Sequence, residues 1–92
     1  MINSFKSKAL RRLFEMGDAR GLNAQHLEKI ELILAVLQAS ERIEGLDLPS
    51  FRLHPLKGDL SGFWAVTVRA NWRIIFRFTD GDANEVDLID YH

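Results

Sequence analysis

The sequence predicts an α+β fold, with two early helices packed on one face of a compact antiparallel β-sheet. Three observations predict it. The apolar residues repeat with a helical period in the first half of the chain and alternate in the second half. The tetrapeptides "RANW" and "TDGD" separate the alternating runs as tight hairpins. Consecutive hairpins make a meander, which needs a helical layer to cover one face. At 92 residues the chain has room for one core, so a single domain over residues 1–92 is expected.

The elements follow in order. "INSF" reads as a short apolar edge strand. From Ser7 the spacing turns helical, with Leu10, Leu13 and Phe14 on one face and Gly17 as a stop, so a helix is expected near residues 8–16. Asn23 is a natural N-cap for a second helix near residues 24–39. Its stripe is Leu27, Ile30, Ile33, Leu34 and Leu37, and Glu28, Lys29 and Glu31 stay outside. Phe51 to His54 reads as a short strand broken by Pro55. Phe63 to Arg69 alternates, with Trp64, Val66 and Val68 on one face. Trp72 to Phe78 alternates too, placing Ile74 and Phe76 inward and Arg73, Ile75 and Arg77 on the opposite face. A last run spans Asn84 to Tyr91. The expected core is Trp64, Val66, Val68, Ile74 and Phe76 against Leu27, Ile30 and Leu34; a slip of one residue in register would bury Arg73 instead of Phe76.

Composition narrows the classes. Hydrophobic residues at 47% and charged residues at 27% describe an ordered, soluble domain. The absence of cysteine excludes a disulfide framework and any thiolate metal site. No stretch has the apolar length of a signal peptide or a bilayer span, so a cytoplasmic location is expected. The net charge of −1 argues against a uniformly basic nucleic-acid binder. The charges are nevertheless segregated. Residues 1–14 hold Lys6, Lys8, Arg11 and Arg12 with no acid, and residues 51–78 hold Arg52, Lys57, Arg69, Arg73 and Arg77 against Asp59 alone. Such a distribution is compatible with a local cationic face and equally with solvated surface charge.

The acidic run "DGDANEVDLIDY" opens like a calcium loop, but Glu85 stands where glycine is required and Tyr91 where the closing glutamate should be. A hairpin turn accounts for "DGD" better. His26, His54 and His92 lack the paired spacing of a zinc site, so no metal or other cofactor is implied. "HPLKGDLSGFW" can be read as a plain loop, with Pro55 ending a strand, Gly58 and Gly62 turning the chain and Lys57 in solvent. Another reading joins it to Arg73 and Arg77 on the non-core sheet face and to the terminal Asp90, Tyr91 and His92. Metal-free RNA cleavage needs a base for the ribose 2′-OH, an acid for the leaving 5′-oxygen and a cation at the phosphate. Histidine serves as either acid or base near neutrality, and lysine and arginine supply fixed charge. Strand alternation keeps Asp90 and His92 off the face of Tyr91 while the strand continues. Of the three, Asp90 suits an orienting role better than contact with an anionic phosphate.

The stretches "FRLHPLKGDLSGFWAVTVRANWRIIFRF" and "DGDANEVDLIDYH", with the "MINSFKSKALRRLFE" opening, resemble the HigB toxins of the RelE/ParE superfamily across essentially the whole chain. The resemblance implies a RelE-like fold and a ribosome-dependent endoribonuclease that cuts mRNA in the ribosomal A site. It also implies a helix-turn-helix antitoxin, of HigA type, that neutralises the toxin and joins it in binding operator DNA. By the same resemblance His92 and Tyr91 do or support the acid–base work, Lys57 and Arg73 bind phosphate, and His54 assists. HigB toxins tend to be basic, and this chain departs from that pattern. ParE-type relatives, which poison DNA gyrase, would not need the "HPLKG" and "DYH" set. A non-catalytic nucleic-acid-binding module would need the charge segregation alone.

Overall fold

Ser7 opens the first helix, α1 (Lys8–Met16), by accepting the Leu10 N–H on its hydroxyl at 3.1 Å, and Gly17 closes it at φ 68° with its N–H on the Leu13 carbonyl. That left-handed geometry is strained for any residue with a Cβ, which is why glycine stands there. The expected second helix begins as a 3₁₀ turn (Ala24–His26), where Asn23 Oδ1 accepts the Gln25 N–H at 2.8 Å, and continues as α2 (Leu27–Ala39). His26 is buried at this junction with its ring centre 6.0 Å from that of Trp72, so it serves packing. The computed structural model describes residues 1–91.

Four strands follow: β1 (His54–Pro55), β2 (Trp64–Arg69), β3 (Trp72–Thr79) and β4 (Asp82–Asp90), antiparallel and in the order β1-β2-β3-β4. Both hairpins have two-residue loops. In the second, Asp80 and Gly81 take φ 52° and 83°, the two left-handed positions that match the twist of the flanking strands. Leu10, Ile30, Ile33 and Leu37 from the helices meet Val66, Ile74, Phe76 and Val86 from the sheet, all fully buried. Each such side chain contributes roughly 1.5–3 kcal/mol by leaving water. A smaller cluster of Leu56, Phe63, Ala65 and Ile75 occupies the opposite face of the sheet, with Leu60 and Ile89 packed against it.

The expected register holds: Ile74 and Phe76 are buried on the helical side, while Arg73 and Arg77 lie on the other with Ile75. Trp64 and Leu27 are half-buried, since each is the first residue of its element, β2 and α2. The segment Phe51 to His54 is not a strand. Phe51 enters the core from a turn, the strand starts at His54, and Pro55 pairs with Trp64. Proline is tolerated there because β1 is an edge strand. Ile2 and Phe5 make isolated parallel bridges to Ala83 and Val86, forming a strap along β4 rather than a regular strand. β4 begins at Asp82 and carries a bulge: Glu85 and Val86 stand against Phe76 alone, with Glu85 at φ 54°.

Candidate active site

Register assembles the outer sheet face, the one turned away from the helices. His54 pairs with Ala65, Ala65 with Ile75, and Ile75 with Asp87, so one row crosses all four strands. Three interstrand gaps make that row roughly 14 Å wide. The next row is Thr67, Arg73 and Ile89. Beyond Ile89, the Tyr91 N–H still bonds the Asn71 carbonyl at 2.8 Å, and alternation assigns Tyr91 to the same face. Asp90 pairs with Trp72, whose ring meets His26 on the helical side, so the alternation takes Asp90 off this face. His92 lies outside the described residues.

Each cation of the face has a distinct setting. His54 is half-buried with Nδ1 2.8 Å from the Arg52 carbonyl oxygen. A carbonyl only accepts, so Nδ1 donates to it and Nε2 is the ring nitrogen not used in that bond. Lys57 is exposed on the loop after β1, which is pinned at its base by the Leu56 N–H on the Phe63 carbonyl at 2.9 Å. Arg73 is half-buried and folds back on the hairpin, its Nη1 donating to the carbonyls of Ala70 and Trp72. Among the described residues its buried Nε has no partner, and neither has the buried Oγ1 of Thr67, directly opposite in register. A buried polar atom left unpaired costs about 1–3 kcal/mol, and the Arg73 Nε is too enclosed for an incoming anion to reach it in this conformation. Arg77 is engaged differently: its Nε donates to Glu85 Oε2 at 3.0 Å, and its guanidinium carbon lies 4.3 Å from the Phe63 ring centre.

The face thus gathers His54, Lys57, Arg73, Arg77 and the β4 end, and separates Asp90 from them. Sequence reasoning missed Thr67, Asp87 and Glu85. Alternation along the last run could have placed Asp87 with Ile89, but the Glu85 pairing depends on a bulge that carries no local signal. Among the described residues, no three His, Asp or Glu side chains are grouped to hold a metal ion. Two depressions lie on the helical layer, one between α1 and α2 at Leu13, Phe14, Glu31 and Leu34 and one at Gln25, Glu28, Lys29 and Leu32.

Residues 3–92 match the family described as a HigB-like toxin, the RelE-like toxin of a type II toxin-antitoxin system. The chain is 47% identical over 92 residues, the full length of both, to the Endoribonuclease HigB of Proteus vulgaris. Among solved structures it resembles the YoeB-YefM complex from Staphylococcus aureus, with a TM-score of 0.57 and 16% identity over 100% of this chain and 98% of that one. It also resembles YafQ from E. coli, with a TM-score of 0.55 and 16% identity over 96% of this chain and 89% of that one. The latter two speak to the fold.

Proposed function

We propose, from the premise that the chain belongs to the HigB-like family of RelE-like toxins of type II toxin–antitoxin systems, that its outer sheet face is the catalytic surface of an mRNA endoribonuclease. The chain is an endoribonuclease toxin with an antitoxin partner; the residues that cleave and the setting in which they do so are our reading. The observation that carries it is the convergence, on one sheet face, of His54, the loop that carries Lys57 and the Arg73 guanidinium held on the β2–β3 hairpin.

The reaction is a transphosphorylation. A base removes the 2′-OH proton, the 2′-oxygen attacks phosphorus, and the P–O5′ bond breaks as an acid protonates the leaving oxygen. The products are a 2′,3′-cyclic phosphate and a free 5′-hydroxyl. Arg73 and Lys57 stabilise the charge that builds on the non-bridging oxygens, where fixed cations act most strongly. His92 and Tyr91 carry or support the proton transfers, His54 assists through Nε2, and Asp90 orients a neighbour. No step draws on a metal ion, and EDTA should leave the rate unchanged.

The substrate is mRNA in the ribosomal A site. With a net charge of −1 the chain gains little from bulk attraction to RNA, ribosomal RNA included, so docking relies on local cations and not on the overall field. The partner is a helix-turn-helix antitoxin of HigA type, which with the toxin binds operator DNA. No helix among the described residues is long and apolar enough to cross a membrane, and the cytoplasm is the site of action under this reading.

The test is His92→Ala. It should abolish growth arrest and mRNA cleavage, read by primer extension after brief induction, while leaving the fold and antitoxin binding intact. A general acid or base is worth ~100- to 10,000-fold in rate. Full toxicity with mRNA uncut and gyrase inhibited would replace the nuclease by a ParE-like mode of action. No growth arrest on expression of the unaltered chain would leave a non-catalytic binding module.

A further inference from the structure

Arg77 was expected among the phosphate ligands, yet its side chain, 43% exposed, already has partners within the protein. Glu85 grips its Nε at 3.0 Å, and its guanidinium stacks on Phe63 with the carbon 4.3 Å from the ring centre. Phe63 closes the loop that carries Lys57, and with Leu56 and Leu60 it packs the loop onto Ala65 and Ile75. Gly62, beside Phe63, sits at φ 94°, and a Cβ there would lie 2.5 Å from Arg77 Nη1. The loop therefore comes as close to the guanidinium as a glycine backbone allows. On the other side, Glu85 reaches Arg77 from the β4 bulge, at φ 54°, with its own N–H held by Ser4 Oγ at 2.9 Å. Two unusual backbone positions, from distant parts of the chain, converge on one guanidinium.

We propose that Arg77 is a positioning residue, anchored by Glu85, that holds the Lys57 loop over the catalytic face instead of binding RNA itself. The stack on Phe63 and the approach to Gly62 fix the loop's height, and the Glu85 carboxylate fixes the guanidinium and neutralises its charge. The role assigned to Lys57 rests on the function proposed above.

The experiment measures mRNA cleavage by the full-length toxin in a reconstituted translation reaction, with amide exchange of the loop followed in parallel. Glu85→Gln is the discriminating variant. A freed RNA-binding cation would raise cleavage, whereas a loosened clamp should lower it by about tenfold; an increase overturns the proposal. Arg77→Met keeps the stem but loses the planar stack and should cost ~10- to 100-fold. In a Lys57→Ala background Arg77→Met should cost little more, because both act through one group; additive losses overturn it. Amide exchange at Ser61 and Phe63 should quicken in Arg77→Met while that of the β3 core stays slow. Unchanged exchange in the loop overturns the clamp even if Lys57→Ala proves active, an outcome that would instead remove Lys57 from the catalytic set.

Discussion

Arg73 concentrates what single residues contribute. Its Nη1 is spent on two hairpin carbonyls and its Nε is buried, so the planar group is fixed in place on the outer face. Arg73→Ala should therefore lower cleavage by ~100- to 1,000-fold, the usual worth of one stabilising group at a developing oxyanion. Arg73→Lys should recover little of it, since an ammonium cannot bond the hairpin and offer a second donor in the same plane. Single-turnover rates on ribosome-bound mRNA check both variants. Far from this face, Asp18 accepts the Arg20 N–H at 3.0 Å and its guanidinium at 2.7 Å, and these bonds hold its carboxyl down to about 2. A lowered carboxyl stabilises the fold above its unfolded value near 3.8 and loses that contribution as pH falls through about 2. Arg20→Ala should return the Asp18 midpoint toward 3.8 in a carboxyl NMR titration; a midpoint left near 2 would discount the pair. Of the candidate residues, the outward direction of Arg73 and Arg77 was legible from alternation alone. The engagement of Arg77 was not, because its partners Glu85 and Phe63 reach it across the sheet.

Elements were legible where the signal is local. The Leu27 to Leu37 stripe, the Asn23 cap, the Gly17 stop and the two hairpin turns all act within a few residues, and each stands where its chemistry puts it. The parts that were not legible are tertiary. Pro55 extends β1 because no further strand needs its missing N–H, and Ile2 and Phe5 bridge β4 because that edge is free to take them. The Glu85 bulge inserts one residue into β4 and so keeps both Val86 and Ala83 in the core on either side of it. α2 is the element on which the sheet depends most, since its Ile30, Ile33 and Leu37 are fully buried against it. Leu37→Ala should cost about 2–5 kcal/mol through lost burial and the cavity left behind, seen as a fall in Tm of about 8 °C or more. A loss under 1 kcal/mol would mean that the helix collapses into the space and that its packing is less constrained than its burial implies.

At the scale of the molecule, the two layers separate two kinds of surface. The outer sheet face carries the groups assigned to RNA, and the helical layer carries the two depressions together with the exposed side chains of Phe14, Met16 and Leu32. Arg11 is exposed and Arg12 half-buried on α1, whereas the depressions are lined by Glu31 and by Glu28 with Lys29, so the cationic part of the helical layer lies on α1. The acids of the β3–β4 hairpin, Asp80, Asp82 and Glu85, lie along β4 and bind the N-terminal strap or Arg77 in part. An antitoxin with an acidic, amphipathic segment has its best complement along α1, with the arginines setting its approach and the exposed Phe14 and Met16 taking its apolar side chains. The double variant Arg11→Glu with Arg12→Glu should weaken antitoxin binding by at least about tenfold, or 1.4 kcal/mol, in a titration of the purified chains. Cleavage of ribosome-bound mRNA by the free toxin should be unaffected, because neither arginine belongs to the outer face. Toxicity in cells that co-express the antitoxin should then reappear, while the same cells carrying the unaltered toxin keep growing. An antitoxin found only on the acidic Asp80–Asp87 hairpin would contradict the argument, since like charges would meet there. Equal loss of binding and of cleavage would contradict it as well, by showing that the two faces work as one.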